Sequence, residues 1–256
     1  MFRHHEYEFH TNTVITSEQM QTTSHYAGRM LMLLYVGYSE GIITGSQISI
    51  EDDFISVSPG IIKHDNMLYH MEEKERIHYE HTGRKTYLRL RFLDARELDD
   101  GFCYDTELVL SEDERLFPYE MELGRFLSEQ GARLRIDDGG FETLATDYNY
   151  FDIRNVPYAS IGESTIPPQI TYAFAKEMEG KKDRTLYDIA FCLQCLTKMP
   201  VDREVIYGYI SAAREKSVTA LSNEQIYHEL LTILNERTTG RQPPQNQMRS
   251  RKFIVD

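Results

Sequence analysis

The amino-acid sequence predicts an α+β protein, with a β-sandwich-like N-terminal domain led by one long helix and a small helical bundle in the C-terminal part. Three observations predict this order. A capped stretch over 17–38 has apolar residues at steps of mostly three and four. Short β-prone runs with turn residues between them follow from Gln47. Beyond a stretch at 155–168 that contains Pro and Gly, the apolar spacing becomes helical again.

The first helix is predicted from a capping-box sequence, in which Thr16 is the N-cap and Gln19 lies three positions later. The apolar residues that follow fall on one face, and we expect a helix of about six turns over 17–38, ended by Gly37. An apolar face of this kind suits contact with another protein chain. The expected partner-binding residues are Gln19, Met20, Tyr26, Met30, Leu33 and Leu34.

Short β-prone runs fill the region that follows this helix, and a further short strand is predicted before it, over 2–14. The runs that predict strands are 47–50, 54–57, 67–71, 76–80 and 86–92. Along 86–92 the polar and apolar residues alternate, so we expect Arg89 and Arg91 on a solvent face and Leu88 and Leu90 on a buried face.

An acidic loop over 94–101 separates the strands described above from the strands predicted after it. One strand is expected over 102–110. The stretch 119–135 fits a strand or a helix, and we favour a strand because Gly124 interrupts a helix. Residues 132–136 are expected to pair with it. Strands at this spacing indicate a β-sandwich or a partly open barrel.

The C-terminal part is predicted to form four helices, over about 168–178, 183–198, 202–216 and 222–237. In the second of these the core face is expected to carry Leu186, Ile189, Ala190, Leu193 and Leu196. We therefore divide the chain into a β-rich domain with its leading helix (1–160), a helical bundle domain (161–240) and a disordered tail (241–256).

Charge and targeting signals exclude several classes of function. A net charge of −13 argues against a nucleic-acid partner, which needs a basic surface. The segment 1–10 has no apolar core of a signal peptide, and the longest apolar run, 30–36, is too short to cross a bilayer. We expect no membrane insertion and a location in the cytoplasm, or in a virion or injection particle assembled there.

Residues with catalytic or metal-binding chemistry form no recognised pattern, and we expect no catalytic site, no cofactor and no metal. Cys192 and Cys195 form a CxxC in the middle of an apolar helix, which indicates two small core residues. A hydrolase whose groups converge only in space stays open, with His64, Asp65 and His78 as its first candidates. A second alternative is a small-molecule-binding or regulatory module with a pocket in the β half.

The order of motifs resembles a known family. A capped helix start at 16–21 leads through YSEGIITG (38–45) to ISVSPGIIKHDNMLYHM (55–71), TYLRLRF (86–92) and MELGRFLSEQGARLRI (121–136). This order is similar to the N-terminal region of phage tail and baseplate proteins, including the shoulder domain of the TssK family of type VI secretion. The family's usual Trp near the first motif is absent here. The resemblance implies a non-enzymatic structural subunit of a contractile tail or injection baseplate, which binds itself as a homo-oligomer and other tail or baseplate proteins.

Overall fold

A computed structural model describes residues 11, 14–99, 101–129, 131–136, 140–145 and 148–237. The predictions of a strand over 2–14 and of a disordered tail over 241–256 fall wholly or largely outside these ranges. The described residues form one helix, then a run of strands, then four helices, and the predicted α+β class is confirmed. The helices are α1 (Ser17–Leu34), α2 (Pro168–Glu179), α3 (Leu186–Cys195), α4 (Arg203–Arg214) and α5 (Asn223–Glu236), with a 3-10 helix at Phe141–Ala145.

The strands lie between α1 and α2 and form several small antiparallel sheets. Their bounds are β1 (Gly41–Gly45), β2 (Ile48–Glu51), β3 (Phe54–Val57), β4 (Gly60–His64), β5 (Met67–Met71), β6 (Glu75–His78), β7 (Lys85–Phe92), β8 (Arg96–Leu98), β9 (Gly101–Cys103), β10 (Thr106–Ser111), β11 (Glu120–Leu127) and β12 (Phe151–Asp152). The strand orders are β1-β4-β5, β2-β3-β6 and β10-β7-β11-β12, and β8 and β9 form a separate hairpin.

The three larger sheets share one hydrophobic core. Ile42 on β1, Ile55 on β3, Leu88 on β7 and Leu123 on β11 are all buried in it. Burying aliphatic side chains from all three sheets together is what holds these short strands in place, because an isolated two- or three-stranded piece has too little apolar surface. The predicted sandwich of two sheets stays a prediction.

The first helix is shorter than predicted, and the expectation of a long helix over 17–38 is wrong. It ends at Leu34. Beyond it, the N–H of Ser39 donates to the carbonyl oxygen of Ser160 at 2.9 Å, and Tyr38 forms a bridge with Ile161. Pairing with this distant segment takes the chain out of the helical path before the glycine that was expected to end the helix.

The solvent face predicted for β7 is also wrong. Arg89 is 1% exposed and its guanidinium donates to Glu120 Oε2 at 3.0 Å, whereas Arg91 is half-buried. Because β7 lies between β10 and β11, carboxylate and carbonyl groups of the neighbouring segments surround its polar face. A buried arginine is tolerated there because it is paired.

Four strands appear where the sequence predicted none, namely β1, β4, β8 and β12. The strand predicted over 102–110 is broken into β9 and β10. The preference for a strand around Gly124 is confirmed, since β11 has a bulge there, with Gly124 at φ +143°. Residues 132–136 do not pair with β11; Arg135 forms an isolated bridge with Tyr150 instead.

The four C-terminal helices form a second hydrophobic core, as predicted. Phe174, Ile206, Ile210 and Leu230 are fully buried in it. Phe141, which precedes the predicted boundary at residue 160, also lies in this core. The division into domains stays a prediction.

Four of the five residues that were predicted for the core face of α3 lie on its outer face, and Leu196 packs against the core as predicted. Leu186 is 84% exposed and Leu193 is 65% exposed, while Phe191, Cys192 and Cys195 are buried. The short helix is apolar on both sides, so the spacing of its residues fits either face. Here the aromatic ring of Phe191 decides, since it stacks on Tyr209 of α4 at a centroid distance of 4.1 Å.

Candidate protein-binding surface

The start of α1 is fixed by its own side chains. The Gln19 backbone N–H donates to Thr16 Oγ1 at 3.2 Å, and the Thr16 N–H donates to Gln19 Oε1 at 3.0 Å. This reciprocal pair is the predicted capping box, and it satisfies two backbone donors that a helix start leaves free. Gln19 is therefore half-buried and has a structural role within the helix.

The end of α1 is held by a buried cation. Lys63 on β4 is 5% exposed, and its ammonium donates to the carbonyl oxygens of Tyr35 at 2.8 Å and Tyr38 at 2.6 Å. Positive charge at this end interacts favourably with the helix dipole and with carbonyls that have no partner inside the helix. The first sheet thus anchors the helix at its last turn.

Between its capped start and its anchored end, α1 is exposed. None of its described side chains is buried. Met20 is 63% exposed, Leu33 is 67% exposed and Leu34 is 66% exposed. An ordinary surface helix buries its apolar stripe against the core of its own chain, and this one leaves it in water.

All six expected partner-binding residues lie on α1, and all except the half-buried Gln19 are exposed. The helical spacing of the exposed five places them on one side of the helix; they are Met20, Tyr26, Met30, Leu33 and Leu34. We call these five residues the α1 stripe. His25, Arg29 and Met32 lie on the other side. Whether the stripe binds a partner stays a prediction.

Two exposed apolar surfaces were not found from the sequence. One is the outer face of α3, which was assigned to the core. The other is the β8–β9 hairpin, where Leu98 and Phe102 are exposed. In the sequence, the α3 surface shows only as extra apolar residues on a helix that already has a core face. The hairpin shows only as apolar residues within an acidic segment. Neither pattern is specific for a binding surface.

The suspected hydrolase residues do not converge. His64 stacks on Phe92 at a centroid distance of 3.7 Å, and its Nδ1 lies 3.3 Å from Glu40 Oε2. His78 lies on β6 in a different sheet, against Phe54. Within the part of the chain that the structure describes, no group of three or more His, Cys, Asp or Glu side chains is placed to hold a metal ion.

The CxxC cysteines are core residues, as predicted. Both are free thiols, and burial raises the pKa of Cys192 and of Cys195 to about 12. The thiolate is the nucleophilic and metal-binding form, so these side chains are inert at neutral pH.

A pocket of about 260 Å³ within the β half is lined by His78, Glu80 and Phe126 among others. A larger cavity of about 480 Å³ lies between the β core and the helical core. Gln169 Nε2 donates to the Tyr158 hydroxyl at 3.2 Å beside it. Among the described residues that line the cavity, Lys198 alone carries a formal charge. This lining offers space without a set of converging ionisable groups.

Comparisons with known proteins were made for the sequence and for the fold. No family model matches the chain, and no curated protein matches it. One similar solved structure is a crystal structure of TssK, with a TM-score of 0.42 and 8% identity, covering 90% of this chain and 70% of that one. Another is a chain of the TssK-TssF-TssG baseplate subcomplex of the type VI secretion system, with a TM-score of 0.40 and 9% identity, covering 91% and 98%. These values describe a distant similarity of fold.

In the ranges that the structure covers, no helix combines the length and the hydropathy needed to cross a membrane.

Proposed function

We propose that this chain is a non-enzymatic structural subunit of a phage-tail-like or contractile injection baseplate, assembled in the cytoplasm, and that it acts through protein–protein contacts. The α1 stripe is the proposed contact surface, both with other copies of the chain and with other tail or baseplate proteins. The type of assembly is taken from the order of motifs in the sequence.

One observation carries the proposal: α1 is anchored to the first sheet at its C-terminal end, yet its apolar side is in water. A helix that served only the fold would gain free energy by packing on its own core, at roughly 25 cal/mol per Å² of apolar surface buried. Held out at a defined position by Lys63, the stripe is preorganised for another chain, which lowers the entropic cost of association.

Charge supports self-association at this helix in particular. The chain has a net charge of −13, so two copies repel each other over most of their surface. Along Ser17–Leu34 the ionisable side chains are Glu18, His25, Tyr26 and Arg29. The helix is therefore nearly neutral, and two copies can meet there with little electrostatic cost.

The experiment compares the oligomeric state of three proteins by size-exclusion chromatography with light scattering over a range of concentrations. The test variant carries Met30→Gln, Leu33→Gln and Leu34→Gln, and we call it the stripe variant. The control variant carries His25→Gln, Arg29→Gln and Met32→Gln on the other side of the same helix. Gln keeps helix propensity in both.

Wild type and control are expected to self-associate. The dissociation constant of the stripe variant is expected to be at least about tenfold higher than that of wild type. Circular dichroism checks that all three are equally helical. A wild-type chain that stays monomeric at every concentration and binds no tail or baseplate protein in co-purification would refute the proposal.

A further inference from the structure

We propose that the β8–β9 hairpin of one copy docks on the outer face of α3 of a second copy, through apolar packing framed by opposite charges. The proposal rests on the assembly role proposed above, but it uses surfaces separate from α1. It names a second contact within the same assembly.

The outer face of α3 is an unusually apolar surface for a helix that already contributes to a core. Its exposed members are Leu186, Tyr187, Ile189 and Leu193, and Met199 lies just beyond the helix, also exposed. A helix that is apolar all round is buried in most proteins. The inner side of α3 is covered by its own chain, so its outer side is available to another chain.

Basic side chains flank this helix along the chain. Lys181, Lys182 and Arg184 precede it, and Lys198, whose ammonium lies 4.8 Å from the Tyr172 ring centroid, follows it. Acidic charge nearby comes from Asp183 and Asp188, and Asp188 is buried in an ion pair with Arg237. In a chain with a net charge of −13, this is a locally basic surface, and its neighbourhood favours an acidic partner.

The β8–β9 hairpin has the matching properties. Phe102 is 65% exposed on the face of the hairpin that also carries Glu97, and Leu98 is 40% exposed on the opposite face. Asp94, Glu97 and Asp99 are exposed around them. The hairpin's basic side chain, Arg96, already pairs with Asp105 at 3.1 Å, so the uncompensated charge of this surface is negative.

The hairpin joins no other sheet of the described residues. Its two strands pair only with each other, and the Arg96–Asp105 ion pair ties it to the residues that follow. A two-stranded hairpin of this kind is marginally stable in water and gains from packing an apolar side chain such as Phe102 on another surface. An apolar, acidic hairpin and an apolar, basic helix face on the same chain satisfy each other when two copies meet.

This contact joins two different surfaces, so it is heterologous. Repeating it adds copies head to tail, and the result is a ring if the rotation closes and an open chain if it does not. Such geometry differs from a symmetric contact of α1 with α1. The opposite charges fix the register and speed the encounter.

A charge exchange tests the proposal. One variant carries Lys182→Glu and Arg184→Glu, a second carries Glu97→Lys and Asp99→Lys, and a third carries all four substitutions. Each is prepared both in the wild-type background and in the stripe variant, and dissociation constants are measured by sedimentation velocity. Each of the two variants that reverse the charge of one surface is expected to have a dissociation constant about tenfold higher than its background. The variant with all four substitutions, which we call the fourfold variant, is expected to have a dissociation constant within about threefold of its background.

Several controls separate charge from folding. Lys85→Glu with Lys216→Glu changes the net charge as much as the helix reversal but lies outside both surfaces, and it is expected to leave the dissociation constant unchanged. Leu193→Ser and Phe102→Ser are expected to weaken association without lowering Tm, because both side chains are exposed.

Equal weakening by the control pair, or failure of the fourfold variant to recover in both backgrounds, would overturn the hairpin contact and leave the assembly role intact. If the charge series behaves as expected while the stripe variant associates like wild type, the hairpin contact stands and the α1 stripe is refuted.

Discussion

The ammonium of Lys63 lies 2.8 Å from the carbonyl oxygen of Tyr35, so a buried cation on β4 holds the last turn of α1. This relationship links the two features on which the proposed function depends. The sheet core places Lys63, and Lys63 places the helix that carries the stripe. Without this contact, α1 would keep its capping box but lose its fixed position at the other end.

Replacing Lys63 tests this link. Lys63→Met keeps a long side chain in the core but removes the ammonium that donates to the carbonyl oxygens of Tyr35 and Tyr38. We expect a loss of about 1.5–3 kcal/mol of stability, measured by urea unfolding, because hydrogen bonds to charged groups have this magnitude. Amide hydrogen exchange in the last turn of α1 is expected to become faster. Lys85→Met, at an exposed position, is the control and is expected to change neither quantity.

Gly28 offers the opposite change on the same helix. It lies in the middle of α1, and a Cβ added there meets nothing within 4 Å. Gly28→Ala is expected to stabilise α1 by about 0.5–1 kcal/mol, because Gly loses more conformational entropy than Ala in a helix. Slower amide exchange along α1 would show this. Faster exchange would mean that α1 is not helical at this position.

Gly124 is the matched case in which the same substitution is expected to fail. It adopts φ +143° in the β11 bulge, and an added Cβ would lie 2.2 Å from Phe151 Cε1. Both the backbone conformation and the lack of space oppose a side chain. Gly124→Ala is expected to cost at least about 2 kcal/mol in urea unfolding. A cost below about 0.5 kcal/mol would contradict the described bulge.

The sequence was most informative where turn residues bracket a strand and least informative where a distant partner decides. The strand over 54–57 was predicted with its observed bounds, since Asp52-Asp53 precedes it and Pro59-Gly60 follows it. Arg89 was placed in solvent because polarity alone does not reveal that its guanidinium forms a buried ion pair with Glu120.

The candidate surface was predicted in the same uneven way. The α1 stripe follows from helical spacing, and its exposure depends on the lack of a packing neighbour among the residues that the structure describes, which no local pattern encodes. For α3, two apolar faces competed for the core, and the stacking of Phe191 on Tyr209 settled which one is buried. Local spacing therefore predicted the helices better than it predicted which sides of them face water.

The Arg89–Glu120 pair gives a prediction about buried charge. Both side chains are almost fully buried, and Arg91 also bonds to Glu120 Oε1 at 3.1 Å. Arg89→Met is expected to cost about 3 kcal/mol, because Glu120 then keeps its charge in the core with one partner fewer. Adding Glu120→Leu is expected to recover about 2 kcal/mol of that loss, since the apolar pair needs no counter-charge.

The four proteins of this double-mutant cycle are compared by urea unfolding at one pH. Independent losses that simply add in the double variant would mean that Arg89 and Glu120 contribute separately, and the described pairing would then be wrong.

Asp188 at the start of α3 makes the stability of the helical part depend on pH. Its carboxylate is fully buried, and burial by itself would raise its pKa. Hydrogen bonds from Arg237, Thr185 and Tyr209 outweigh that effect, and the pKa of Asp188 is lowered. Because a lowered pKa favours the ionised form in the folded state, the stabilisation is fully present above the unfolded value of about 3.9 and is lost as the pH falls below it.

Asp188→Asn keeps the size of the side chain and removes its charge, which leaves Arg237 without its counter-ion. At pH 7 we expect a loss of about 3 kcal/mol of unfolding free energy relative to wild type. This difference should shrink as the pH is lowered from about 5 to 3, because the carboxylate of the unfolded wild-type chain takes up a proton over that range while the folded one stays ionised. Tyr209→Phe, which removes one neutral donor, is the control, with an expected cost of about 1 kcal/mol. Urea unfolding measured from pH 7 to pH 3 decides the matter, and a difference between wild type and Asp188→Asn that stays constant to pH 3 would show that the charge of Asp188 does not stabilise the fold.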